Sequence, residues 1–237
     1  MGGDFILTIV TPLFYYTSIN MFLPLPQFAT EDRHPNHIAE VIETSSTEFL
    51  AQCLDPEDLR FPLMPAFGSW ISAFDEESDN QIYAVVYYAT TAPIDSVHRA
   101  RALGLSLKNL RQEQPQIFAM LKTEFKAAIV GFEAPSDIST QRQMYHYLPQ
   151  RPPQIHQAVY KCRPESILRF TDNMDFLRTL LLVPGAPVES LVASAIREVY
   201  KLRKLDREWL VKACRYLSLL LKDDYDQLRF ILGQIHP

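Results

Sequence analysis

The sequence predicts an α+β protein: an N-terminal small antiparallel β-barrel with inserted short helices, followed by a C-terminal helical bundle. Three observations carry that expectation. Between Pro65 and Phe132, two β-type runs (PAFGSWISAF and QIYAVVYYATT) sit across a polar break, and a third, ending EFKAAIVGF, follows a Pro-marked helical stretch. In the second run Tyr83, Val85 and Tyr87 alternate with Ile82, Val86 and Tyr88, so both faces are apolar. A strand of that kind is covered on both sides or closed into a barrel. After about Pro164 the hydrophobic period changes from two residues to 3.6, which marks amphipathic helices.

Each element has its own local reason. His37 to Glu43 and Thr47 to Leu54 form a first β-pair across Ser45-Ser46, with Phe49, Ala51 and Cys53 on one face. Gly68 opens a strand containing Trp70, Ile71 and Phe74, and the acidic turn Asp75 to Asn80 leads into the strand from Gln81 to Thr91. Leu105 to Arg111 is a short helix capped by Ser106, and Pro115 starts a second helical turn through Met120. Glu124 to Glu133 returns as a strand, with Gly131 suited to a bulge or a close backbone approach. Pro135 to Pro153 reads as a loop or linker, and Ile155 to Tyr160 as a last barrel strand. Val188, Leu191, Val192, Ala195, Ile196 and Val199 make the buried stripe of a first long helix. Asp206 caps a second with Trp209, Leu210, Ala213, Leu217, Leu220 and Leu221; Asp223 or Asp224 caps a third with Tyr225, Leu228, Leu232 and Ile235. The expected domains are therefore a variable N-terminal segment over 1–34, the barrel over 35–160 and the helical bundle over 161–237.

Composition narrows the function classes. The 237 residues carry a net charge of −5, which argues against a surface wholly devoted to nucleic acid. The seven glycines form no GxxxxGK[ST], GxGxxG or GxSxG, so an autonomous ATPase, a Rossmann enzyme and an α/β-hydrolase are all disfavoured. Cys53, Cys162 and Cys214 are far apart and odd in number, which suits a reducing compartment and a cytoplasmic location. The apolar run Phe5 to Leu25 is broken by Pro12 and Pro24 and lacks a basic flank, so no membrane span is expected; Met21 is an alternative start.

PAFGSWI followed by IYAVVYYATT, then EQPQIFAMLKTEFKAAIVGF, resembles the HAS-barrel family, named for the HerA ATPases and ATP synthases that share the domain. Pro65, Phe67, Gly68, Ile82, Tyr83, Val85 and Val86 occupy the places of the family's turn and following strand. Pro115 to Phe118 and the strand ending in Gly131 match a stand-alone type lacking the ATPase core, as in small proteins of photosynthetic bacteria. The likeness spans roughly 35–160. In the motor proteins the barrel helps assemble the ring and dock partner subunits. With no P-loop here, the resemblance implies the docking role and not the motor.

Candidate site residues are each matched by a plainer explanation. His34 and His37, near Glu40 and Glu43, look metal-like, but three-residue spacing at a strand start puts side chains on opposite faces. His98, Arg99 and Arg101 could hold an anion or simply be a polar loop. Tyr83, Tyr87 and Tyr88 could stack nucleic-acid bases on an OB-like face or pack the sheet. Arg197, Lys201, Arg203, Lys204 and Arg207, with Lys212 and Arg215 beyond, are the basic concentration, diluted by Glu198, Asp206 and Glu208. The acidic residues Asp75 to Asp79 suit a charged hairpin tip, and no Ser, His and Asp set reads as a triad. No catalytic, cofactor or metal residue is expected. The leading expectation is a non-enzymatic protein–protein docking module, whose partner could be a ring ATPase or another multisubunit assembly. The alternative is a nucleic-acid accessory factor that uses the barrel face and the basic helix stripe.

Overall fold

The computed structural model describes residues 34–55, 64–94, 100–136 and 142–235. The run Phe5 to Leu25, the alternative start Met21, and His98 and Arg99 lie outside the described residues. Strands β1 (His37–Thr44) and β2 (Glu48–Cys53) pair antiparallel across a turn closed by Ser45, whose hydroxyl donates to the Glu48 carbonyl at 2.9 Å. Strands β3 (Trp70–Asp75) and β4 (Asn80–Pro93) form a second hairpin over the acidic turn. Strand β5 (Leu121–Ala134) bonds to both β4 and β2, and β7 (Ala158–Lys161) lies between β1 and β3. The ring β1-β2-β5-β4-β3-β7 therefore closes as a six-stranded antiparallel barrel, with the short β6 (Gln143–Tyr145) added to β5. Closure leaves no free edge around the ring.

Inside the barrel, Val41, Phe49, Ile71, Ile82, Val86, Phe125 and Ile129 pack into one core. The opposite residues of the same strands, Trp70, Tyr83, Val85, Tyr87, Ala128 and Val130, lie in a second core shared with the helices. This is the physical answer to a strand with two apolar faces: one points into the barrel and the other is roofed. The parity of β4 changes at a bulge. Val86 pairs with Ala127 and Tyr88 with Lys126, so Tyr87 is the extra residue. Beyond it Ala89, not Tyr88, continues the interior face, and Tyr88 turns outward at 53 % exposure. Tyr88 is thus not part of an apolar strand face, a correction to the sequence reading.

Between β4 and β5, helix α1 (Leu107–Glu113) is capped by Ser106, which accepts from the Asn109 amide at 3.2 Å, and α2 (Gln116–Ala119) follows Pro115. The C-terminal half begins with two helices that the sequence reading did not separate, α3 (Pro164–Phe170) and α4 (Phe176–Leu180). They are too short for a 3.6-residue stripe to stand out, yet Phe170, Phe176, Leu177 and Leu180 are fully buried. Helices α5 (Val188–Leu202), α6 (Arg207–Leu220) and α7 (Tyr225–Gln234) start where expected, with Asp206 and Asp224 as caps of the last two. The buried face of α7 is Leu228, Ile231 and Ile235; Tyr225 and Leu232, which were expected on it, are exposed. Part of Pro135 to Pro153 is also not a linker: β6 lies there, and Arg142 and Arg151 pair with Asp79 and Glu77 of the β3–β4 turn. Among the described residues, no helix is long and apolar enough to cross a membrane.

Two glycines permit close contact between barrel and helices. A Cβ on Gly131 would run into the Tyr145 carbonyl oxygen and the Phe170 ring. Gly68 has φ +80° and donates its N–H to the Val86 carbonyl at 2.8 Å, while a Cβ there would sit 2.5 and 2.6 Å from the Ser194 side chain of α5. Ser194 in turn donates to the Phe67 carbonyl at 3.0 Å. Left-handed backbone alone costs a residue with a side chain about 1–2 kcal/mol, and the clash adds to it. Gly68→Ala is expected to lower the urea midpoint by the equivalent of about 2 kcal/mol or more; an unchanged midpoint would contradict the close docking of α5.

Candidate functional site

A cleft of about 660 Å³ opens where the barrel meets the helices. Thr47 and Glu48 form the barrel wall, His146 to Leu148 follow β6, and Asp175, Arg178 and Thr179 come from the start of α4. Leu182, Val183 and Pro184 make its apolar surface. This volume lies in the range of small-molecule pockets, and junctions between packed units are where such pockets tend to form.

Its polar groups are held by internal partners. Tyr87 donates to Glu48 at 2.5 Å, and Lys126 lies 3.6 Å from the same carboxylate. Burial, reinforced by that hydrogen bond, pushes the Tyr87 phenol well above its ordinary range. The Nε2 of His146 lies 2.7 Å from the Phe170 carbonyl oxygen, which can only accept. Nε2 therefore carries the proton, and in the neutral ring Nδ1 is an acceptor. Asp175 accepts hydrogen bonds from the Tyr216 hydroxyl and from Asn173. The Tyr216 bond chiefly holds the Asp175 carboxyl below its ordinary range and pushes the phenol upward. The cleft thus combines the Glu48 and Asp175 carboxylates and His146 with the exposed Arg178 guanidinium, whose charge acts on Asp175. Away from the cleft, burial pushes the Cys53 and Cys162 thiols up to about 12 and raises Cys214 as well.

The sequence-predicted residues scatter over other parts of the molecule. His34 and His37 both pack on Tyr160, with ring centroids at 5.7 and 5.3 Å. They meet on one side because His34 precedes the strand in a turn, so the alternation expected of a strand does not apply. Among the described residues, no group of three or more His, Cys, Asp or Glu could hold a metal. Tyr83 is fully buried and donates to Glu133 at 2.8 Å, and Tyr87 is nearly so; only Tyr88 of the three shows its ring to solvent. Asp75 in the acidic turn is buried and accepts from Ser78, so this tip is partly structural.

Of the basic set, Arg197 donates to the Gln234 carbonyl at 2.6 Å and ties α5 to the end of α7. Arg203 donates to the Leu168 carbonyl at 2.6 Å and to Asp172 at 2.8 Å while stacking over Trp209. Lys201, Lys204 and Arg207 remain exposed. The cleft residues Glu48, His146 and Asp175 were missed by sequence reasoning. They come from three separated segments, and no spacing in the chain marks their meeting.

A folded carboxyl held below its ordinary pKa contributes stability that is present above the unfolded value and lost as pH falls through the depressed one. Removing the phenol with Tyr216→Phe is expected to move the Asp175 titration upward, toward the ordinary carboxylate range, in a carboxyl-detected NMR pH series. An unmoved titration would show that Tyr216 does not set it.

Compared with known families, residues 38–134 match the HAS barrel domain, a stretch that spans β1 through β5. No curated protein matches the chain. The match ends before β7, so the strand that closes this ring is supplied by residues beyond it. The matched stretch holds five of the six barrel strands, so this part of the chain is similar to the HAS barrel domain.

Proposed function

We propose that the chain is a cytoplasmic, non-enzymatic docking module that joins a HAS barrel to a larger protein assembly through its last two helices. One observation carries this reading. Val211 and Leu219 lie two turns apart on the exposed face of α6, and Tyr225, Phe230 and Leu232 are exposed on α7. Leu219 and Phe230 are 72 % and 61 % exposed, which is costly surface for side chains of this size unless a partner covers it. The barrel offers less. Its interior is filled by its own side chains, and a broad part of its outer face lies under the helices. A multisubunit assembly such as a ring ATPase is the kind of partner suggested by the motor proteins that share this barrel.

The nucleic-acid alternative gains no comparable support. Tyr83 and Tyr87 are buried, and Arg197 and Arg203 are engaged within the fold.

Leu219→Asp with Phe230→Asp changes two exposed positions and should leave the fold intact. In a gentle pull-down from native lysate, the wild-type chain is expected to recover a defined partner, and the double variant to lose it by tenfold or more. Recovery of the wild-type chain only as an unpartnered monomer would contradict the proposal. So would a salt-sensitive shift of single-stranded nucleic acid abolished by changes at Lys201, Lys204 and Arg207.

A further inference from the structure

The cleft at the junction of barrel and helices takes no part in the docking role, and its wall is divided by chemistry. Asp175, Arg178 and Leu182 follow one another at three- and four-residue intervals along α4 and the turns at its two ends. An acid, a base and an aliphatic side chain are therefore set out over about 10 Å. Glu48 lines the same space from the barrel and His146 from the segment after β6. The volume of about 660 Å³ suits a ligand of small-molecule size.

The bonding capacity left open at this wall is specific. Arg178 is exposed and enters no ion pair among the described residues. The Nδ1 of His146 is an acceptor without a protein donor among the described residues, because the ring's hydrogen bond is made by Nε2. Arg178 and His146 are both near enough to Asp175 to act on its charge. Glu48 accepts from Tyr87, and Asp175 from Tyr216 and Asn173. A carboxylate has about four lone-pair sites, so both keep capacity for a further donor.

We propose that this cleft binds a small zwitterion with an apolar body, the chemistry of an aliphatic or aromatic α-amino acid. Its ammonium sits among Glu48, Asp175 and the Nδ1 of His146, which together supply an acceptor for each of its three N–H groups. Its carboxylate pairs with Arg178, and its side chain lies on Leu182, Val183 and Pro184. A purely anionic ligand would meet two carboxylates, and a purely cationic one would leave Arg178 unpaired; a ligand carrying both charges answers both. Asp175 and Arg178 are separated by one helical turn, about 4.5 Å of rise, which suits opposite charges carried on neighbouring atoms of one small molecule. The inference is independent of the docking role of α6 and α7.

The test is a titration of the full chain with L-phenylalanine and, separately, L-leucine, read by NMR from the His146 imidazole and the Leu182 methyl groups. Saturable shifts at both positions are expected. N-acetyl-L-phenylalanine lacks the ammonium and L-phenylalanine amide lacks the carboxylate, and each should bind roughly tenfold or more weakly. Glycine, which lacks the apolar body, should not saturate the site. Arg178→Gln changes an exposed position and should leave circular dichroism unchanged. It is expected to weaken L-phenylalanine roughly tenfold or more and to leave the amide unaffected, since the amide offers no charge for Arg178 to hold. The proposal is overturned by absence of saturable shifts with both amino acids at millimolar concentration, by equal binding of the acetylated or amidated compound, or by wild-type binding in Arg178→Gln.

Discussion

The structure rests on one constraint: where they pair, residues 82–87 of β4 and 127–132 of β5 are apolar on both faces, so this part of the sheet must be buried on both sides. Ile82, Ala84, Val86, Phe125 and Ile129 point into the closed barrel, while Tyr83, Val85, Ala128 and Val130 point out toward the helices. A free-standing barrel would expose that second face to water. Trp70 and Tyr83 meet Phe170 on the outer side, at ring-centroid distances of 5.8 and 4.8 Å, and Trp70 also meets Phe176 at 5.3 Å. The helices that follow the barrel are therefore its roof. Gly131 lets α3 approach, and Gly68 lets α5 approach.

That arrangement redirects where the molecule can meet others. The outer face of a small barrel is the usual place for a binding sheet, but here much of it is spent on internal packing. Among the described residues, the far sides of α6 and α7 face outward with large apolar side chains. Their exposed apolar residues lie among charges of both signs, Glu208, Lys212, Arg215 and Asp226 included. The cleft where the barrel meets α4 holds Glu48, His146 and Asp175 by internal hydrogen bonds, which fixes its shape at the junction.

Much of the barrel was legible from the sequence because its signals are local. The alternation in Tyr83 to Tyr87, the Ser106 cap, Pro115 and Gly131 each specify structure within a few residues. What was not legible depends on contacts distant in the chain. The bulge at Tyr87 reverses the parity of β4 because β5 pairs with one residue fewer there, and a single strand's pattern cannot show that. The α7 stripe was placed on Tyr225 and Leu232 because several apolar spacings fit a ten-residue helix; packing against α5 chooses Ile231. Arg197 and Arg203 read as surface charge, yet both reach backbone carbonyls of other elements, which no charge pattern encodes. The cleft was invisible for the same reason.

The shared core can be tested with the chain's own two tryptophans. Trp70 reports from β3 on the junction where the barrel meets Phe170 and Phe176, and Trp209 reports on the helices from α6, where its indole donates to the Thr171 carbonyl at 2.9 Å. In urea unfolding followed by fluorescence, Trp209→Phe leaves only the junction reporter and Trp70→Phe only the helix reporter. If barrel and helices are one cooperative unit, each variant's fluorescence midpoint will coincide with the midpoint of its own far-UV circular dichroism. A fluorescence transition separated from the circular dichroism transition in either variant would mean that the barrel stands without its roof.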